Sequence, residues 1–324
     1  MISIIFKNKY KIENLNEGIS LSEAIDGIAY NATINLIETS ELRSLGLSKG
    51  NSIEIYDTDF ETKKMIRIFN GVIWEISKSG KIIKHLTLIC KERTIYLEES
   101  EDEYLFPEGQ TATQRAKKYC DEWGIPIGDL SNTLILLPKT VYRNNTIYDM
   151  MLKDLKETAK KGGNLFKFRM KDKLDIVELG SNKTIWKLET IAENIRQKSS
   201  LEGIITQVKV LGKQEENQKT PVVGIYKKNT EIYGTIQKIL QDEKIKNTTE
   251  AKNRAETLFN AGEESIGVSG IDINTIRAGD KVSLNGVILY VIDITHTLGT
   301  PGKMDLNLST IEHIRRRFYS GDNI

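Results

Sequence analysis

One short sequence block occurs twice in this chain, and this echo limits the possible folds more than any other feature. Residues Lys49–Ile55 resemble Ala278–Leu284, and the tetrapeptide Asn-Gly-Val-Ile follows each block, at Asn70–Ile73 and at Asn285–Ile288. Each tetrapeptide leads into a long strand-like segment, a glycine-containing turn and an alternating return segment. Because Asn-Gly favours the turn of a two-residue hairpin, we expect both tetrapeptides at equivalent hairpin turns. The repeat predicts two small β-barrels or sandwiches of one type.

Between the two copies, the pattern changes from strands to helices. Apolar residues at helical spacing follow Thr111, which with Gln114 has the sequence of a capping box. A second apolar stripe covers Ile147–Lys161 and ends at two glycines, and an alternating segment begins at Phe166. We therefore expect an α+β, mainly β protein. Its predicted parts are a first β-barrel over residues 1–100, an α+β domain with two helices and a hairpin over 101–182, and a second β-barrel over 183–324 with an inserted loop and helix at about 212–262.

Composition excludes several classes of function. The 324 residues carry 46 Lys and Arg against 45 Asp and Glu, and a formal charge of +1 argues against specific nucleic-acid binding. No apolar run approaches the roughly 20 residues that cross a bilayer, so we expect no membrane anchor. The two cysteines and three histidines have no partner at the spacing that a metal site or a thiol nucleophile needs. We therefore predict no catalytic residue, no cofactor and no metal ion.

One polar segment is the candidate contact site. Gly212–Thr220 lies between two predicted strands and contains no apolar residue, so it cannot contribute to a core. Loops held by a rigid scaffold commonly carry binding residues. The segment is either a mobile loop that faces solvent or a contact segment, and we expect the second, in which its charged side chains contact a neighbouring protein when a larger particle assembles. These residues are Lys213, Glu215, Glu216 and Lys219.

Several blocks in the middle and at the C-terminal end of the chain follow one another in a distinctive order. They are the helix and hairpin over Thr146–Leu179, which contain Lys161–Phe166, and the blocks Ile276–Asp280, Tyr290–Ile292 and Met304–Leu308. In this order they resemble the XkdQ-type baseplate hub proteins of contractile phage tails and phage-tail-like bacteriocins. The resemblance covers most of the chain. That family is similar to the central hub of the T-even phage baseplate.

The resemblance implies a homotrimer of tandem tail-tube-like barrels. Three chains with two barrels each present six similar barrels, so the trimer can join a hexameric tail tube to a trimeric spike. The implied partners are further copies of this chain, the tail tube protein, the spike protein and baseplate wedge proteins. The implied location is the bacterial cytoplasm during assembly and then the baseplate of a virion or a bacteriocin particle.

Two other functions stay open from the sequence. One is a cell-wall-degrading enzyme or a glycan-binding module of the same tail apparatus, with carboxylates from the acidic run Glu98–Glu103. A glycosidase needs two carboxyls that face each other about 5–10 Å apart, and the sequence shows no such pair. The other is a free-standing cytoplasmic enzyme, which requires a polar pocket that the sequence does not reveal. We therefore expect a structural protein and not an enzyme.

Overall fold

The structure is a computed structural model that describes residues 2–27, 29–170, 172–214, 219–242, 245, 247–256, 258–259 and 263–319. It is mainly β with an α+β character, as the sequence predicts. The chain forms two compact units. Unit 1 comprises Met1–Ile195 and Gly267–Ile324, and unit 2 comprises Arg196–Ile266. The three-part division at residues 100 and 182 stays a prediction.

Strands predominate over helices. The strands are β1 (Ser3–Phe6), β2 (Tyr10–Lys11), β3 (Asn16–Ala24), β4 (Asn31–Ile37), β5 (Ser52–Thr58), β6 (Met65–Ser79), β7 (His85–Lys91), β8 (Glu101–Phe106), β9 (Ile127–Leu130), β10 (Thr140–Thr146), β11 (Phe166–Met170), β12 (Leu174–Glu178), β13 (Ala192–Ser200), β14 (Gln207–Leu211), β15 (Val222–Lys227), β16 (Gln237–Gln241), β17 (Glu263–Ile271), β18 (Lys281–Leu284), β19 (Val287–Leu298) and β20 (Lys303–Ser309). The helices are α1 (Ser40–Ser44), α2 (Ile95–Glu98), α3 (Ala112–Trp123), α4 (Ile147–Lys160), α5 (Thr230–Tyr233), α6 (Thr248–Glu256) and α7 (Ile311–Ile314).

Within the described residues, twelve strands form one sheet. Its order is β13-β17-β20-β19-β3-β4-β7-β6-β5-β1-β2, with β18 paired to β19. Strand β3 joins the N-terminal and C-terminal parts, because Ile19–Ala24 pairs antiparallel with Asp293–Leu298. This path is open, with β13 and β2 at its ends, so two separate closed barrels are not confirmed.

The internal repeat is present in the fold. Strands β4-β7-β6-β5 have the same order as β17-β20-β19-β18. The Gly50 N–H donates to the Ile73 carbonyl at 2.8 Å, and the Gly279 N–H donates to the Val291 carbonyl at 2.8 Å. Each of these pairings is followed by a bulge, after Ile73 in β6 and after Val291 in β19. We call the two copies repeat 1 (β3–β7) and repeat 2 (β13 and β17–β20), and we align them on these bulges.

The two Asn-Gly-Val-Ile tetrapeptides are not equivalent, and that prediction was wrong. Asn285 and Gly286 form the two-residue turn between β18 and β19, with φ of 51° and 80°. Asn70 and Gly71 instead lie inside β6, where both pair with β5. Glycine is needed there because a Cβ would overlap the carbonyl oxygen of Lys91 on β7. The part of the repeat that is structurally equivalent is the block before the tetrapeptide, Lys49–Ile55 in repeat 1 and Ala278–Leu284 in repeat 2.

Helices α3 and α4 share one core with the hairpin of β11 and β12, to which β9 adds in parallel. Helix α3 begins at the predicted Thr111–Gln114 capping box and ends at Gly124 in the left-handed conformation. Arg115 and Asp154 form a buried ion pair of 2.8 Å between the two helices. This part of unit 1 is an α+β structure, as the helix patterns predict.

Unit 2 is a small α+β structure. Its three-stranded sheet has the order β15-β14-β16, and α6 covers one face. Val208 and Val210 of β14 pack with Ala251 and Ala255 of α6 in its core.

Replacing Gly71 with alanine should destabilise unit 1, because the new Cβ overlaps the Lys91 carbonyl. We expect the free energy of unfolding to fall by about 1–3 kcal/mol, the usual cost of overpacking, seen as a lower urea midpoint. Gly18→Ala in β3 is the matched control, since nothing lies within 4 Å of its Cβ position, and it should cost less than about 0.5 kcal/mol. Equal losses in both variants would show that the close approach at Gly71 is unimportant.

Candidate functional site

The edge of β19 that follows its bulge is covered by β3. In this ladder His296 lies opposite Leu21 and is fully buried. The Nδ1 atom of His296 lies 2.6 Å from the Asp272 carboxylate, and Nε2 lies 2.9 Å from the carbonyl oxygen of Ile276. Strand β3 of repeat 1 therefore closes repeat 2 along this edge.

The equivalent edge of repeat 1 is open. Alignment on the bulges makes Lys78 of β6 the counterpart of His296. Lys78 also pairs with a carboxylate, that of Glu38, at 2.7 Å. Glu38 and Asp272 are counterparts, because each directly follows the equivalent strand, β4 or β17. Among the described residues no strand covers this edge of β6, and the Lys78 side chain is 60% exposed.

A groove of about 110 Å³ lies beside the open edge of β6. Its apolar lining comes from Leu42, Leu47, Ile76 and Leu86, and Glu38 and Lys78 provide charged groups. In repeat 2, by contrast, β3 lies against the equivalent edge. The groove therefore has the apolar floor that a further strand could cover.

The second open edge belongs to β13, at one end of the sheet. Two equivalent ion pairs align β13 with β3. Glu17 of β3 contacts His85 at 2.7 Å. Glu193 of β13 contacts Lys303, the counterpart of His85, at 3.3 Å. Strand β13 therefore occupies the same position in repeat 2 that β3 occupies in repeat 1.

This alignment identifies an exposed isoleucine. Ile195 of β13 is the counterpart of Ile19 of β3, which is 2% exposed, whereas Ile195 is 46% exposed. The chain thus carries one strand that matches β3 and one edge that matches the edge covered by β3. We call these the donor edge (Ala192–Ser200 of β13) and the acceptor edge (Glu75–Ser79 of β6).

A buried cluster of charges lies where the two repeats meet the β11–β12 hairpin. Glu23 of β3 accepts hydrogen bonds from Arg277 at 2.6 Å and from Lys167 of β11 at 2.7 Å. The guanidinium group of Arg277 also stacks 3.8 Å from the centre of the Tyr30 ring. Glu92 lies 3.6 Å from Arg277 and is a weaker partner. The cluster joins four segments that are distant in sequence.

The two carboxylates of this cluster have opposite pKa shifts. Burial raises the pKa of Glu23, but Arg277 and Lys167 outweigh burial and hold the pKa well below its usual range. Burial also raises the pKa of Glu92, and the more distant Arg277 offsets only part of this effect. The pKa of Glu92 therefore rises to about 7. Glu92 is a buried carboxyl that titrates near neutral pH.

The predicted contact loop connects β14 and β15 of unit 2. Lys213 and Lys219 are exposed, and Glu215 and Glu216 lie outside the described residues. Both exposed lysines belong to unit 2. This contact site stays a prediction.

The described residues contain no group of three or more His, Cys, Asp or Glu side chains that could hold a metal ion. Cys90 and Cys120 are buried, and burial raises the pKa of both thiols. In the described part of the chain, no helix is long and apolar enough to span a membrane.

Sequence reasoning missed the donor edge, the acceptor edge and the charge cluster. His296 and His85 look isolated in the sequence because their carboxylate partners lie 24 and 68 residues away along the chain. The available signal was the repeat itself. It was not enough by itself, because alignment on Lys49–Ile55 places Lys78 at Asn307 and alignment on Asn-Gly places it at Asp293. Only the bulges of the folded sheet align Lys78 with His296.

The comparisons with known proteins agree with this fold. The family model described as YQBQ-like matches residues 19–309, and the chain belongs to this family. No curated protein matches.

Three solved structures show the same fold. The 43 kDa tail protein of prophage MuSo2 from Shewanella oneidensis is 11% identical, with a TM-score of 0.71 over 96% of this chain and 98% of that chain. A tail protein from Neisseria meningitidis is 13% identical, with a TM-score of 0.67 over 98% of both chains. An Escherichia coli component of the type VI secretion system, described as similar to tail proteins of bacteriophage T4, is 9% identical, with a TM-score of 0.53 over 95% of this chain and 77% of that chain.

Replacing Glu92 with glutamine should change how stability depends on pH. Because the folded-state pKa of Glu92 is raised, its proton stabilises the folded state at low pH, and this contribution is lost as pH rises through about 7. Between pH 5 and 7.5 the wild type should therefore lose about 2–3 kcal/mol through this group, and Glu92→Gln should not. Urea unfolding at both pH values measures the difference.

Glu23→Gln is the contrasting variant. It removes the carboxylate closest to Arg277 and Lys167 and leaves only the more distant Glu92 to balance their charge, so it should destabilise by about 3–5 kcal/mol at both pH values. Parallel pH profiles for wild type and Glu92→Gln would contradict the role of Glu92.

Proposed function

We propose that this protein is the structural hub of a contractile injection system, a homotrimer that joins a hexameric tail tube to a trimeric spike. One observation carries the proposal. Within one chain β3 covers the edge of repeat 2, whereas the donor edge and the acceptor edge are both open in the described residues. The fold shared with phage tail proteins and a type VI secretion component supports this role.

The donor edge of one chain fits the acceptor edge of the next by the pairing that β3 makes with β19. Such an interface is head-to-tail, so it closes into a ring when the rotation between neighbours allows. Three chains then place six repeats in the ring. The repeats match a hexameric tube, and the chains match a trimeric spike. In this ring the open sheets of three chains join into one closed wall, which is where we place the barrels that the sequence predicts.

Alignment of the repeats also predicts the register between chains. Thr297 pairs with Ser20 inside the chain. Ser79 is the counterpart of Thr297, and Arg196 is the counterpart of Ser20. Ser79 of one chain should therefore lie opposite Arg196 of the next, with Ile195 beside the apolar groove.

The remaining partners follow from this architecture. The tail tube protein, the spike protein and baseplate wedge proteins surround the ring, and the Lys213–Lys219 loop contacts one of these neighbours. The protein assembles in the bacterial cytoplasm and then resides in the baseplate of a virion or bacteriocin particle. It acts by shape and does not catalyse a reaction.

No observation favours the enzyme alternative. The acidic run is divided between the end of α2 at Glu98 and the start of β8 at Glu101, and Glu101–Glu103 is exposed. A zymogram on purified peptidoglycan should show no clearing by the protein. Clearing would favour the cell-wall-degrading enzyme.

A cysteine pair tests the ring directly. In assembled particles, Ser79→Cys together with Arg196→Cys should form disulfides between chains, because opposed Cα atoms of antiparallel strands lie about 4.5–5.5 Å apart. Non-reducing electrophoresis should show covalent dimers and trimers and nothing larger. Cys90 and Cys120 are buried and do not compete.

The matched control for this pair is Thr297→Cys with Ser20→Cys. It tests the same geometry inside one chain and should give an oxidised monomer without larger species. A Ser79–Arg196 cysteine variant that stays monomeric in particles, while the control pair oxidises, would contradict the proposed ring.

A further inference from the structure

The turn between β6 and β7 carries two exposed isoleucines. Ile82 is 94% exposed and Ile83 is 61% exposed, and the pair stands between Lys81 and Lys84. The turn is tightly folded, because Gly80 has φ of 98° and a Cβ there would overlap the Ile83 carbonyl oxygen. We call Lys81–Lys84 the apolar tip.

The tip is also braced from outside its own hairpin. The N–H of Glu38 donates a hydrogen bond to the Lys84 carbonyl at 2.8 Å. The isoleucines therefore lie on a backbone that is already ordered, so the tip loses less conformational entropy when a partner binds.

Repeat 2 shows that the fold does not need these isoleucines. At the equivalent positions, counted from the bulges, the turn between β19 and β20 carries Thr300 and Pro301. Equivalent backbone hydrogen bonds brace both turns. The Asp272 N–H donates to the Gly302 carbonyl at 3.1 Å, as the Glu38 N–H donates to the Lys84 carbonyl. Adjacent isoleucines exposed at one tip and absent from its counterpart indicate a binding surface.

We propose that the apolar tip docks into an apolar socket with an acidic rim on the trimeric spike. This inference rests on the proposed homotrimer. The tip occurs once per chain although the repeat occurs twice, so a ring of three chains displays it at three positions that alternate with the Thr-Pro turns. A hexameric tube needs six similar contacts, whereas a trimeric partner matches three. Lys81 and Lys84 supply the positive charge that an acidic rim complements.

Binding to two purified partners tests the inference. The probes are the spike trimer and the tail tube protein of the same particle, measured by biolayer interferometry against the full chain. The variant Ile82→Thr with Ile83→Thr should bind the spike at least about tenfold more weakly, since it removes two apolar side chains from the contact. Its affinity for the tube protein should not change.

Two further variants make the result specific. Leu105→Thr with Val141→Thr removes two exposed apolar side chains, 57% and 50% exposed, from strands β8 and β10 and should bind the spike like the wild type. Lys81→Glu with Lys84→Glu should also weaken spike binding, and more strongly at low salt. All variants should keep the urea midpoint of the wild type because the substituted side chains are exposed.

Two outcomes would overturn the inference: unchanged spike affinity in the isoleucine variant, or an equal loss of tube binding. Failure of the proposed function looks different. In that case the wild-type chain binds neither partner and does not occur as three copies per particle. A three-copy ring that binds the spike without the isoleucines overturns the inference alone.

Discussion

The antiparallel ladder between β3 and β19 is the interaction on which the rest of this structure depends. It joins Ile19–Ala24 to Asp293–Leu298, two segments at opposite ends of the chain, and so connects repeat 1 to repeat 2 in one sheet. It also covers a strand edge that would otherwise be free to pair with another chain. The same edge in repeat 1 has no such cover among the described residues, and this difference between equivalent edges is the basis for a ring.

The charge cluster around Glu23 explains why the ladder has one register. Burying charges is costly, and even well-paired buried ions are a weak source of net stability. A slip of one residue would move Glu23 to the other face of the sheet and take from Arg277 and Lys167 the carboxylate that both of them contact most closely. We therefore interpret the cluster as a device that selects the register and fixes the β11–β12 hairpin against both repeats. Glu92 lies farther from Arg277 than Glu23 does, so burial raises its pKa and it adds a pH dependence to that junction.

Local chemistry accounts for the features that sequence reasoning predicted correctly. The Thr111–Gln114 capping box, the helix that begins at Ile147 and the Asn285-Gly286 turn each depend on residues within a few positions. The turn predicted at Asn70-Gly71 was wrong because glycine has two uses, in a tight turn or where two backbones approach closely. The dipeptide alone does not distinguish these uses. The pairs His296–Asp272 and Lys78–Glu38 were beyond prediction, because only the folded sheet brings them together.

An electron cryo-microscopy reconstruction of the assembled particle tests the central claim most directly, which is that two quasi-equivalent repeats per chain close a ring. We predict three chains and six repeats around the axis, with β6 of each chain beside β13 of the next and β3 beside β19 inside each chain. A ring of six chains, or a three-chain ring in which the β6 and β13 edges stay apart, would contradict the account.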